Sequence, residues 1–164
     1  MELYFKDNFF SIGTTDIMDS AGAPIGLVDL KVASNSTLEV FGANKESLYV
    51  GKFPFFSSKW TVLDAKEKEL GKLYAKMALF NKRYEYDSNG RGLYRLSSFA
   101  HTSDYEITND EGAIIATFKK TSGWLSPSAY RLNCKDSRID PMEWVAVILG
   151  MNQIQKRQSA AAAT

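Results

Sequence analysis

Apolar and polar residues alternate with period two in short runs, and the runs come in pairs. Tyr105 and Ile107 alternate with Glu106 and Thr108, and downstream Ile114, Ala116 and Phe118 alternate with Thr117 and Lys119. Such alternation marks a half-buried strand. Between the two runs lies Asn109-Asp110-Glu111-Gly112, a tight-turn sequence in which glycine accepts a positive φ without steric penalty. The pair reads as a β-hairpin. The same design starts again at Thr15, Leu38, Trp60, Tyr84 and Tyr105, at intervals of 21 to 24 residues, the scale of a repeated supersecondary unit. Ser20-Ala21-Gly22 and Asp87-Ser88-Asn89-Gly90 supply turns in other copies. Five hairpins, an opening strand near Leu3 to Ile12 and a closing strand near Ala129 to Asn133 make about twelve strands. A sheet of that many strands curls and closes, which removes its edges.

The pattern changes after Asp140. This residue suits a helix N-cap, and Pro141 suits the first helical position. From Met142 to Ile154 nine of thirteen residues are apolar, and Trp144 to Leu149 is unbroken. Apolar groups therefore surround the whole circumference, which predicts a helix buried on every side. A membrane span needs about 20 apolar residues, more than this segment supplies. The interior of the barrel is the natural place for it, because about twelve strands enclose more space than their own side chains fill. One domain, residues 1–155 with a central helix at 141–155, follows from this. The polar, then Ala-rich end, 156–164, is expected to be disordered.

Several stretches, taken in order, resemble the tubby-like superfamily and most of all its LURP-one-related branch of small bacterial-type members. Trp60-Thr61-Val62-Leu63-Asp64 with Glu69-Leu70-Gly71-Lys72-Leu73 is similar to that branch's recurring strand–turn–strand pattern. Phe99-Ala100-His101 before Asp104-Tyr105-Glu106-Ile107 resembles the opening of its last hairpin. Ser128-Ala129-Tyr130-Arg131-Leu132 ahead of Asp140-Pro141 resembles its closing strand and core helix. The likeness runs over roughly residues 2 to 155 and rests on order rather than on any one motif. It implies a mainly β fold: a closed barrel of about twelve mostly antiparallel strands around an apolar C-terminal helix. It also implies lipid-related roles, since tubby proteins bind phosphatidylinositol bisphosphate through basic residues on the barrel exterior and phospholipid scramblases belong to the same superfamily. The Pro-rich and Cys-rich additions of scramblases have no counterpart here.

Composition narrows the chemistry. The 164 residues suffice for one well-buried core. Twenty basic and nineteen acidic side chains nearly cancel, so no global field draws the chain to nucleic acid. The basic residues also lack the aromatic interleaving of single-strand binders. The lone cysteine, Cys134, reads as a buried thiol, and the absence of a disulfide fits a reducing compartment. Met1 to Asp7 does not resemble a signal peptide, so a cytoplasmic location, free or peripheral to a membrane, is expected. With one histidine, His101, and one cysteine, no zinc or copper ligand set is available, and no metal or cofactor is expected. Asn109, Asp110 and Glu111 are ordinary turn residues before they are a calcium site. No Gly-x-Ser-x-Gly elbow is present, and Asp87 to Gly92 is followed by no helix N-terminus to cradle a phosphate. The chain is expected not to be an enzyme.

Charge distribution offers a candidate site. Ser47 to Arg95 holds ten basic residues against five acidic ones, a net +5. Lys72 and Lys76 share a face of one predicted strand, Arg91 and Arg95 share a face of another, and Lys82 and Arg83 lie at the turn between. These six residues are the predicted ligand-binding set, suited to phosphates or anionic lipid headgroups through charge-assisted hydrogen bonds. A solvated strand face whose lysines discourage edge pairing accounts for the same residues. Aromatics gather at the connections between hairpins: Phe9-Phe10, Phe53-Pro54-Phe55-Phe56, Leu79-Phe80, Phe99 and Trp124-Leu125. They either cap the helix-filled interior or form an apolar rim for a membrane or protein partner. Three functions stay open: a headgroup-binding module, a protein-interaction scaffold, and scramblase-like lipid handling.

Overall fold

The computed structural model describes residues 1–32, 36–77, 82–98, 104–123 and 126–163. Twelve antiparallel strands close into a barrel, each predicted repeat forming one hairpin. The hairpins are β2 (Gly13–Met18) with β3 (Pro24–Val32), β4 (Ser36–Gly42) with β5 (Ser47–Lys52), and β6 (Trp60–Asp64) with β7 (Glu69–Lys76). They continue with β8 (Arg83–Asp87) and β9 (Leu93–Ser98), then β10 (Tyr105–Thr108) and β11 (Ile114–Gly123). The opening strand β1 (Glu2–Phe5) pairs with the closing strand β12 (Ser126–Cys134), placing Leu3 opposite Leu132 and Phe5 opposite Tyr130. At this seam the Met1 ammonium donates to the Cys134 carbonyl (2.8 Å) and the Cys134 amide donates to the Met1 carbonyl (2.9 Å). All five hairpin turns therefore lie at one end of the barrel, and the 3-10 turn before β2 and the loop between β5 and β6 lie at the other.

Two details depart from simple alternation. The opening strand stops at Phe5 rather than near Ile12, and Asp7–Phe10 forms a single 3-10 turn. This turn folds Phe9 inward, 4.3 Å from the Phe5 ring and 5.4 Å from the Phe118 ring. In β11 the register slips so that Ile107 faces Ala116 while Thr108 faces Ile114. The β-bulge turns Ile115 inward and Ile114 outward, so Ile114 does not share the face of Ala116 and Phe118.

The helix α1 (Pro141–Ala162) begins as its capping residues dictate, with the Asp140 carboxylate accepting from the Met142 amide at 2.8 Å. Every residue from Met142 to Met151 is buried, so the helix fills the lumen. Trp60 locks it in place. Its indole lies between Gly51 of β5 and Gly150 of the helix, where a Cβ on either glycine would collide with the ring. From there Trp60 Nε1 donates to the Ala146 carbonyl at 3.1 Å. Trp144 packs its ring edge-on against Tyr94 (5.2 Å) and near Tyr86 (5.8 Å).

The helix continues seven residues beyond Gln155, where the sequence predicts a disordered end. Lys156 donates to the Phe10 carbonyl (3.3 Å) and Arg157 to the Ser57 carbonyl (2.9 Å), which ties the emerging turn to the rim. The alanines that follow have the highest intrinsic helix propensity and prolong it. Among the described residues no helix is long and apolar enough to cross a membrane.

Truncating Trp144 to Ala removes a fully buried indole from the centre of the lumen. We expect a loss of about 3 to 5 kcal/mol in urea unfolding; an unchanged midpoint would show that the helix does not bear the core.

Candidate functional site

The predicted basic set separates into three groups. Arg91 belongs to the interior. It lies in the turn before β9, not on the face of Arg95, and its guanidinium reaches the end of the lumen. There Nη1 and Nη2 donate to the two carboxylate oxygens of Glu143 at 2.8 and 2.7 Å, while Nη2 and Nε also donate to the carbonyls of Leu70 and Ser88. Tyr86 Oη donates to the same carboxylate at 2.6 Å. Glu143 is only 2% exposed and Arg91 about a third. Hydrogen bonding to Glu143 holds the Arg91 guanidinium firmly charged, and burial, then the carboxylate, pushes the Tyr86 phenol far up. This is a bidentate charge-assisted pair that ties the first turn of the helix to β7 and β8. Four of its five N–H donors are committed to the fold and its charge is paired with Glu143, which sets Arg91 apart from the exterior ligand set.

Lys72 also stands apart. It points outward from the half of β7 nearer the hairpin turns, lies opposite Asp87, and pairs with Glu69 at 3.5 Å. Its charge is locally balanced. Lys82 is exposed just ahead of β8, where its carbonyl accepts from the Ser98 amide.

The remaining three, Lys76, Arg83 and Arg95, line one groove of about 540 Å³ on the outer wall, together with Glu85, Ser97 and Thr108. The strand registers bring them together: Lys76 sits opposite Arg83 across β7 and β8, and Glu85 opposite Arg95 across β8 and β9. Glu85 accepts from Lys76 Nζ at 3.3 Å and from Tyr74 Oη at 3.0 Å. Burial, then this carboxylate, raises the Tyr74 phenol. Both Lys76 and Lys59 stand over the Tyr74 ring, at 5.5 and 5.1 Å from its centre. Arg83 and Arg95 form no ion pair among the described residues. The groove thus presents three cations around one carboxylate that Lys76 already uses.

A second cavity, of about 830 Å³, opens at the hairpin-turn end beside the helix N-terminus. Its charges cancel within itself. Arg91 pairs with Glu143, Arg138 with Asp136, and the Asp64 carboxylate accepts the Lys66 and Lys68 amides. Cys134 lines this cavity, and burial pushes its thiol up to about 12, so it stays protonated at neutral pH.

Sequence reasoning missed the partner of Arg91. The signal was present: Glu143 is the lone acid of the helix and stands directly before its unbroken apolar run, and a buried carboxylate requires a cation. The aromatic connections divide between the two roles predicted for them. Phe9 and Phe53 turn inward, whereas Phe55 and Phe56 stand exposed. His101, Leu79, Phe80, Phe99, Trp124 and Leu125 lie outside the described residues or have side chains that are not described.

A closed antiparallel barrel threaded by its own C-terminal helix defines a tubby-like architecture. Within that class, the family model described as LURP-one-related matches residues 1–152. The chain belongs to the LURP-one-related family of the tubby-like superfamily. No curated protein and no solved structure matches it.

The two kinds of arginine differ in what their removal does to the fold. Arg91→Met strands a buried carboxylate and is expected to destabilise by about 3 kcal/mol, the low end for a broken buried pair because Arg91 is partly exposed. Arg83→Ala and Arg95→Ala, both exposed, are expected to change stability by less than about 0.5 kcal/mol. Urea unfolding of the three variants checks the assignment.

Proposed function

We propose that the protein is a non-enzymatic binding module for an anionic lipid headgroup or a related phosphate-bearing ligand, held in the groove of Lys76, Arg83 and Arg95. One observation carries this reading: Lys76 and Arg83 are like charges placed directly opposite on neighbouring strands, and Arg95 stands one strand further along. Like charges in cross-strand register destabilise a sheet. Guarding an edge does not explain them, because the barrel is closed and has no edge to guard. A bound phosphate relieves the repulsion, and two arginines present the planar forks that suit its oxygens. Ser97 and Thr108 add hydroxyls for orientation.

Co-sedimentation tests this with neutral vesicles and vesicles containing phosphoinositides, at low and physiological salt. Binding is expected only to the anionic vesicles and is expected to weaken as salt screens the groove. Hydrogen bonds to charged groups contribute about 1.5 to 3 kcal/mol, so Arg83→Ala and Arg95→Ala should each weaken binding roughly tenfold or more. Equal binding to neutral vesicles, or retention by both variants, would refute the groove as the site.

A further inference from the structure

The rim where the helix emerges carries an apolar knob on the loop between β5 and β6. Phe55 is 82% exposed and Phe56 is 94% exposed, yet their rings pack together at 4.2 Å. The backbone holds them outward. The Ser57 amide donates to the Pro54 carbonyl at 3.0 Å, closing a turn in which Phe56 adopts φ +60°. That conformation suits glycine, and a bulky aromatic there is a genuine outlier. Beneath the knob Phe53 is buried against Trp60, with ring centres 5.0 Å apart. Arg157 of the emerging helix covers the Phe53 ring at 4.5 Å and donates to the Ser57 carbonyl. The loop is therefore braced from below and from the side, with its two largest apolar groups left in solvent.

The loop that carries this knob meets the groove at Tyr74. Lys59, at the foot of the loop, and Lys76, in the groove, stand over the same Tyr74 ring. Met77, fully exposed, lines the groove at the rim. We propose that this shoulder of the barrel docks onto an anionic bilayer, with Phe55, Phe56 and Met77 entering the interfacial layer while the flanking cations meet the headgroups. The charge complementarity selects the occupant: exposed apolar side chains beside Lys59, with Lys76 and Arg83 in the adjoining groove, match a negatively charged membrane surface, for which one apolar anchor plus one basic patch supplies the two signals stable attachment needs. The inference rests on the groove's reading as a headgroup site and adds the bilayer itself as the partner.

The test uses the full chain and separates the two readings. Phe55→Ala combined with Phe56→Gly removes the knob and relieves the positive φ, so the thermal midpoint should hold or rise. Affinity for phosphoinositide vesicles should fall roughly tenfold or more, while binding of soluble inositol trisphosphate stays unchanged. A fluorophore on Phe56→Cys, whose only competing thiol is the buried Cys134, should shift to the blue on anionic vesicles. Unchanged vesicle affinity in the double variant, or no spectral shift, would overturn the docking shoulder and leave the groove intact. Binding of soluble inositol trisphosphate with no vesicle binding would likewise overturn it, assigning the groove to a free phosphate. Loss of a self-associated species in the double variant, without effect on vesicles, would assign the knob to a second copy instead. If neither vesicles nor the soluble headgroup binds the unaltered protein, both readings fail together.

Discussion

A barrel of twelve strands must be filled. An eight-stranded barrel closes around its own side chains, but a wider one leaves a lumen that only another element occupies. Here the occupant is a helix of roughly 10 Å diameter with side chains, apolar around its whole circumference from Trp144 to Leu149. Its seat depends on two absent side chains. Gly51 and Gly150 together admit the Trp60 indole between wall and helix, close enough for a hydrogen bond to a helical carbonyl. That contact fastens the middle of the helix to the wall, while Glu143 meets Arg91 and Tyr86 at one end and Arg157 covers Phe53 at the other. Rim, cavity and wall take their positions from the plug.

Residues of one chemical type meet different fates according to where that plug lies. Arg91 is next to the helix N-terminus and finds a desolvated carboxylate, so its charge is spent on the fold. Arg83 and Arg95 project from the outer wall, beyond the helix's reach, where they face water and each other's neighbours. The difference is one of topology, not of sequence context. A buried ion pair is balanced within the fold, whereas an exterior cluster with excess positive charge leaves that charge facing solvent.

Much of the fold was legible because its signals are local. Turn residues such as Asn109 and Gly112 announce their hairpin: the Asn109 side chain accepts the Ala113 amide, and the Gly112 amide returns to Asn109. Asp140 and Pro141 announce the helix for the same reason. The site was less legible because it is made by pairing across strands. Lys72 and Lys76 share a face of β7, but only the β7–β8 register shows that one opposes Asp87 and the other Arg83. The inward turn of Phe53 and the outward turn of Phe55 and Phe56 depend on a positive φ that no residue type in Pro54-Phe55-Phe56-Ser57 advertises. The bulge at Ile115 is of the same kind, one residue of slip that reverses a face without altering the apolar count.

The order of elements along the chain also has a kinetic side. The plug follows every strand it must support, and the seam joins β1 to β12, the first strand to the last. At synthesis rates of roughly 5 to 20 residues per second, β1 waits about 7 to 30 s on the ribosome before its partner exists. During that interval ten or more strands expose their inward faces with nothing to cover them. Closure is a late, long-range event, the kind that contact order makes slow. The inward faces of the nascent strands therefore stay uncovered until the helix that fills the lumen has been made.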